Sequence, residues 1–271
     1  MTLPTRDELL IAYETQLRGL RADERLPRGV TVERDGPLVR FLGFADRGYI
    51  LYRDLGGLEG PALDDLIERQ VRVFAERGER FEWKYHGHDL PTDLPDRLRA
   101  AGFVPEDEET VMAARAADIT REPRLPDGVS LREVTSHADL VRIAALGRTV
   151  FGDHGQEGWL ADMLESERAT DPDSLTIVVA EASETVVCAA WIRFARGTEF
   201  ATLWGGTTLP QWRRRGIYRA IVAYRANLAA ARSLRYLQVD ASDNSRPILE
   251  RLAFVPVTTT TPYIWQPSIG S

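Results

Sequence analysis

Two stretches of the chain are laid out alike. PDRLRAAGFVPEDEETVMA (95–113) and SRPILERLAFVPVTTTTPYIW (245–265) each place a short Leu/Arg helix before Phe-Val-Pro and a following strand. Such self-similarity implies one supersecondary plan used twice, so the chain is expected to be an internal duplication. A length of 271 residues leaves room for two units of ordinary domain size.

The elements around these stretches repeat in the same order. Thr5 to Glu8 has capping-box spacing, and Leu10, Tyr13, Leu17 and Leu20 follow at helical intervals, predicting an opening helix with a core-facing stripe. The stretch 21–36 is polar. PLVRFLGF and GYILYRDL then read as strands, PALDDLIERQVRVFAERG as a helix begun by Pro61, FEWKYHG as a strand, DLPDRLRAAGF as a helix and EETVMAAR as a closing strand. The segment after Arg115 is rich in Pro, Asp and Arg, which marks a boundary; we place the first unit at 1–115, a linker at 116–128 and the second unit at 129–271. In the second unit VSLREV is a strand, HADLVRIAALGRTVFG and GWLADMLESER are helices, and SLTIVVAEA, VVCAAWIRFA and FATLWGG are strands. GIYRAIVAYRANLAAARS is a long helix, RYLQVDA a strand, SRPILERLAF a short helix and TTPYIW a last strand. The fold class is α/β with a mixed sheet.

One segment carries chemistry: LWGGTTLPQWRRRGIYRAIV, a strand running into a basic, glycine-containing turn that opens a helix. The first backbone N–H groups of a helix lack internal partners and sit at the positive end of its dipole, so an anion such as phosphate binds there naturally. Arg213, Arg214 and Arg215 add formal charge, and Gly216 lets the backbone approach a ligand. The alternative is a plain solvated basic turn.

Arg213-Arg214-Arg215-Gly216-Ile217-Tyr218 resembles the (Q/R)-x-x-G-x-(G/A) motif of the GNAT superfamily of acyltransferases, and Thr208-Leu209-Pro210 resembles that family's V-x-P strand ending. The likeness extends over roughly Val129 to Trp265, including YLQVDA and LERLAF, the latter similar to the family's Y-E-R-L-G-F. It implies two tandem GNAT-like units around central, mainly antiparallel sheets, the first degenerate and the second active. By position it implies that Arg213, Arg214, Arg215, Gly216, Ile217, Tyr218 and Arg219 hold the pyrophosphate of acetyl-CoA or another acyl-CoA. Gly206, Thr207 and Thr208 match the strand that pairs with the pantetheine arm, and an amide near Thr208 would face the developing oxyanion. Tyr218 departs from the family's small residue, Ala253 from its glycine, Leu249 stands near its proton-donating tyrosine, and Gln238 falls where some members carry a glutamate base. With those groups missing, Asp240, where the family's sheet splays, becomes the candidate base or amine anchor, and Tyr263 the candidate acid. His154, with Asp153 and Glu157, forms a further polar cluster on the loop expected at the acceptor rim.

In the first unit the corresponding loop, RDLGGLEGPALDD, has a surplus of acid and no basic triplet, so it should repel pyrophosphate. His86 and His88 in WKYHGHDLP suggest a metal pair, but no third ligand stands at a recognisable spacing and no metal is expected. Cys188, the one cysteine, lies in an apolar strand and reads as a small buried hydrophobe. A formal charge of −7 argues against nucleic acid or anionic membrane as partners. The N-terminus lacks the features of a signal peptide, no stretch has the length of a membrane span, and a cytoplasmic location is expected. The expected activity is direct transfer of an acyl group to an amine-bearing or other small-molecule acceptor. The rival is a non-catalytic acyl-CoA sensor; ATP binding is weaker, because no G-x-x-x-x-G-K-[ST] pattern is present.

Overall fold

The computed structural model describes residues 4–19, 25–44, 46–152 and 159–267. The first helix, α1 (Arg6–Gln16), starts on the expected box: Thr5 accepts from the Glu8 amide and Glu8 from the Thr5 amide. Its buried face is Leu9, Ala12 and Tyr13, with Leu10 and Leu17 packed beside them; Leu20 lies outside the described residues. The polar stretch hides a strand that the sequence reading missed, β1 (Thr31–Asp35), whose residues are exposed or half-buried because it is a sheet edge. β2 (Leu38–Leu42), β3 (Gly48–Leu51), α2 (Gly60–Glu76), β4 (Phe81–His86), α3 (Leu94–Ala100), a two-residue β5 (Val104–Pro105) and β6 (Glu109–Arg115) complete the first half. Within the expected linker, α4 (Ala116–Ile119) buries Ala116 and Ile119.

The second half comprises β7 (Val129–Val134), α5 (His137–Phe151), α6 (Trp159–Thr170), β8 (Leu175–Ala182), β9 (Thr185–Phe194), β10 (Phe200–Thr208), α7 (Ile217–Ala231), β11 (Tyr236–Ala241), α8 (Arg246–Glu250) and β12 (Val255–Trp265). The last strand is longer than TTPYIW, because the threonine run before it is β-prone and pairs from Val255 onward.

The strands of both halves join in a single 12-stranded sheet, ordered β1-β2-β3-β4-β12-β6-β11-β10-β9-β8-β7, with β5 paired to β12. The two halves exchange their final strands. β12 lies between β4 and β6, pairing with β6 over Val255–Thr260 and with β4 over Thr260–Trp265, while β6 lies between β12 and β11. Among the described residues only β3–β4 and β10–β11 pair in parallel, each over a short overlap. The duplication thus appears as a near mirror in strand order about the β12–β6 seam. Side chains alternate across each strand. On β11, Leu237 and Val239 face the α7–α8 core, whereas Tyr236 packs with Val111, Ala113 and Phe200 beneath α1.

Candidate coenzyme and acyl-transfer site

β10 is bent where it approaches the basic turn. Its pairing with β9 slips between Gly205 and Thr207, and both glycines there are left-handed, at φ +71° and +92°. Neither tolerates a side chain: a Cβ on Gly205 would lie 2.7 Å from the Trp191 ring, and one on Gly206 would lie 2.5 Å from the Tyr218 ring. Arg225 supports this bulge from beneath. It is fully buried on α7, and its Nη1 donates to the carbonyls of Trp191 and Trp204 at 2.9 and 3.0 Å. The sequence reading passed over it, although its place four residues after Ile221 put a cation on the buried stripe of the helix.

After β10 the chain makes a single 3-10 turn (Pro210–Trp212), and Arg214 and Gly216 both take positive φ, +61° and +85°. The Arg213 amide donates to the Pro210 carbonyl at 3.2 Å, and the next amide to find a carbonyl is that of Ala220, on Gly216 at 3.0 Å. The amides of residues 214–219 therefore meet no acceptor among the described residues, and α7 has no side-chain cap. Arg213, Arg214 and Arg215 are exposed; Arg213 Nε donates to the Thr208 carbonyl and Arg215 stacks on Trp212 at 4.8 Å. The donor set fits a phosphate-bearing group. Tyr218, the departure from the family motif, lays its ring on Gly206, beside the strand expected to align pantetheine. In the first half the comparable loop, between β3 and α2, supplies its own anion: the Gly56 amide donates to the Asp54 carboxylate at 2.9 Å.

β10 and β11 touch only over Phe200–Thr202 and Tyr236–Gln238; beyond these, β10 continues on β9 and β11 continues on β6. Asp240 lies on the part of β11 beyond this parting. Both of its oxygens are engaged, Oδ2 by Lys84 Nζ at 2.8 Å and Oδ1 by Gln238 Nε2 at 2.7 Å. Burial opposes the charge of Lys84, but attraction by Asp240, Glu82 and Tyr13 outweighs it and holds the ammonium firmly protonated. Burial, and then the negative charge of Asp240, raise both the Tyr13 phenol and the Glu109 carboxyl. This arrangement ties the carboxylate to groups of the chain itself rather than presenting it as a free base or amine anchor. Lys84 comes from the first half and could not be placed beside Asp240 from sequence.

Tyr263 is not brought to Asp240. It sits opposite Trp83, 2% exposed, in the core of α2, α3, Phe81 and Trp83, with Arg99 over its ring at 5.5 Å. Lys84, the partner of Asp240, follows Trp83 and points to the other face of the sheet. Strand alternation therefore sets the candidate base and the candidate acid on opposite faces of the sheet, so Asp240 and Tyr263 cannot act together as the sequence suggested. Leu249 is core. Cys188 is buried, receives a hydrogen bond from Thr208 Oγ1 at 3.1 Å, and has its thiol pushed up to about 11 by burial. Asp153, His154 and Glu157 lie outside the described residues. His86 and His88 bond to Tyr13, and to Thr258 and Glu14, respectively. Among the described residues no group of three or more His, Cys, Asp or Glu is arranged to hold a metal, and no helix is long and apolar enough to cross a membrane.

On the far side of β10 from α7, a cleft of about 370 Å³ opens between α5–α6 and β9–β10, lined by Ile143, Phe151, Leu160, Met163, Trp191 and Trp204 with Gly205 and Thr207. Neither Asp240 nor Tyr263 lines it.

No protein-family model matches the chain, and no curated protein shows significant sequence similarity to it. Solved structures do match in fold. A GCN5-related N-acetyltransferase from Kribbella flavida aligns with a TM-score of 0.64 at 18% identity, over 90% of this chain and 91% of that one. One from Sphaerobacter thermophilus gives 0.62 at 15%, over 99% and 96%. A tandem GNAT protein from the clavulanic acid biosynthesis pathway, solved without AcCoA, gives 0.60 at 14%, over 100% and 99%.

Proposed function

Because the chain has the tandem GCN5-related N-acetyltransferase fold, we propose that it transfers an acyl group from acyl-CoA to an amine, with the second half holding the coenzyme. The observation that carries this reading is the run of amides from 214 to 219 that meet no acceptor among the described residues, opening a 15-residue helix beside three exposed arginines. Helix-terminal amides and dipole together select a pyrophosphate. Pantetheine then lies along Gly206–Thr208, and the bulge held by Arg225 presents strand amides to the thioester oxygen. The amine nitrogen attacks the carbonyl carbon, a C–N bond forms, and the C–S bond breaks. Sulfur leaves as thiolate with the bonding electrons, and the ammonium proton passes to it or to water. A thiol of pKa near ~8.5 is a good leaving group, so this reading needs no acid in the place of Tyr263.

The test is thiol release from acetyl-CoA across a panel of amines. Turnover with acetylated amine recovered in equal amount supports transfer, and it should fall at least tenfold in the Arg214→Ala/Arg215→Ala double variant. Tight coenzyme binding with no thiol release from any acyl-CoA would instead favour the second reading, a non-catalytic acyl-CoA sensor. The engagement of both Asp240 oxygens supports that alternative.

A further inference from the structure

We infer that the cleft between α5–α6 and β9–β10 receives an uncharged apolar group of the substrate, aromatic or medium-chain aliphatic, and that this group sets specificity. The inference rests on the acyl-transfer reading above. Gly205 and Thr207, on the strand assigned to the thioester, form part of the cleft wall, so a group that fills the cleft lies directly against that strand. The rest of the wall is apolar: Trp191, Trp204, Phe151, Leu160 and Met163. Among the described residues of the wall the one charged side chain, Arg193, is already engaged. Its Nε and Nη2 are held by Glu167 at 2.7 to 3.0 Å, and its guanidinium stacks on Trp204 at 4.6 Å. A cationic or anionic substituent would find no free partner among the described lining residues and would lose its hydration, which sites of this kind reject. Exposed Trp204 and Phe151, at 43% and 64%, leave apolar surface at the rim for an incoming group to cover. A cavity near ~150 Å³ already accepts benzene. At about 370 Å³ this cleft has room for a bicyclic ring or an alkyl chain of comparable bulk.

The apolar group can come from the acyl chain or from the acceptor, and Gly147 allows the two sources to be told apart. It lines the cleft from within α5, and a Cβ placed there meets nothing within 4 Å. Gly147→Ala and Gly147→Leu therefore fill the cleft in steps while improving the helix. Calorimetry on the full-length protein compares CoA, acetyl-CoA, hexanoyl-CoA and decanoyl-CoA. If the acyl chain is the occupant, affinity rises roughly three- to fourfold per buried methylene, and Gly147→Leu removes the gain while the affinity for unacylated CoA serves as reference. If the acceptor is the occupant, acetyl-CoA turnover with 2-phenylethylamine or tryptamine shows at least a tenfold lower KM than with ethanolamine or spermidine, and the two variants raise that KM in order of bulk. Intact CoA binding with neither preference overturns the inference and leaves the acyl-transfer reading standing. Loss of all CoA binding in the wild type overturns that reading, and the inference with it.

Discussion

Asp240 is where the residue-level chemistry turns. From sequence alone it is the candidate base or amine anchor, a carboxylate ending a strand beside the expected thioester; in the fold it holds an ammonium group and an amide. Removing a charged partner from such a bond costs about 1.5–3 kcal/mol. Asp240→Asn and Lys84→Met should each lower stability on that scale, and the double variant should lose less than the sum. Denaturant melts of all four proteins give the coupling. A rate loss near ~10²-fold at unchanged stability would mark Asp240 as the base after all. His86, close by, carries a pH signature. Burial, and then Arg18 and Lys84, press its pKa well below 6.5, while Tyr13, His88 and Asp89 complete its surroundings. The folded chain thus binds this proton less readily than the unfolded one. Stability from this group is complete above the unfolded value near ~6.5 and lost as pH falls below it, by up to about 1.4 kcal/mol per pH unit. Melting temperatures at pH 7 and pH 5 should converge in His86→Gln relative to wild type; an unchanged difference would clear His86.

At the scale of elements, the exchange of final strands decides what each half can do alone. A fragment of 129–271 lacks β6 and β4, so β11 loses one neighbour and β12 loses both. Unpaired strand edges of that length aggregate. The fragment should be insoluble or associate on size exclusion, whereas co-expression with 1–128 should restore a soluble complex; a monomeric, folded fragment would show that β12 can re-pair within its own half. The exchange also divides what sequence could reveal from what it could not. Capping at Thr5, the periodic stripe of α7 and the near-continuous apolar runs of β8 and β9 are local signals, and those elements stand where they are read. β1 escaped because TVERD is an exposed edge with no apolar face. The partner of β12 escaped because nothing within Val255–Trp265 says whether β4 or β11 lies beside it, and that choice sets which face Tyr263 joins. Gly216 of the basic turn was legible through its chemistry. Lys84 and Arg225 were not singled out, and Tyr13 was read only as part of a core-facing stripe, since their roles exist only once distant strands and helices meet.

The whole molecule is a duplicated plan with its charge divided unequally. Both halves run a short parallel strand pair into a turn and a long helix. In the second half that turn offers free amides and three exposed arginines; in the first, Asp54 already occupies the Gly56 amide and Glu59 stands at the N-cap of α2. A pyrophosphate brought to the first turn would meet two carboxylates of its own sign. One CoA should therefore bind per chain, in the second half. Gly216 provides the control, because its φ of +85° excludes most side chains for conformational reasons, while the space around it is open, with the Arg124 carbonyl 4.0 Å from a Cβ placed there. Asparagine accepts the left-handed conformation better than other residues. Gly216→Asn should therefore keep the fold and weaken CoA by bulk alone, and Gly216→Glu should abolish binding by adding a carboxylate at the phosphates. Calorimetry on the full chain, with thermal melts to confirm folding, should return a stoichiometry near one for wild type, near one at reduced affinity for Gly216→Asn, and no detectable binding for Gly216→Glu. A stoichiometry of two, or binding retained in a folded Gly216→Glu, would place the coenzyme elsewhere and remove the basic turn from the mechanism.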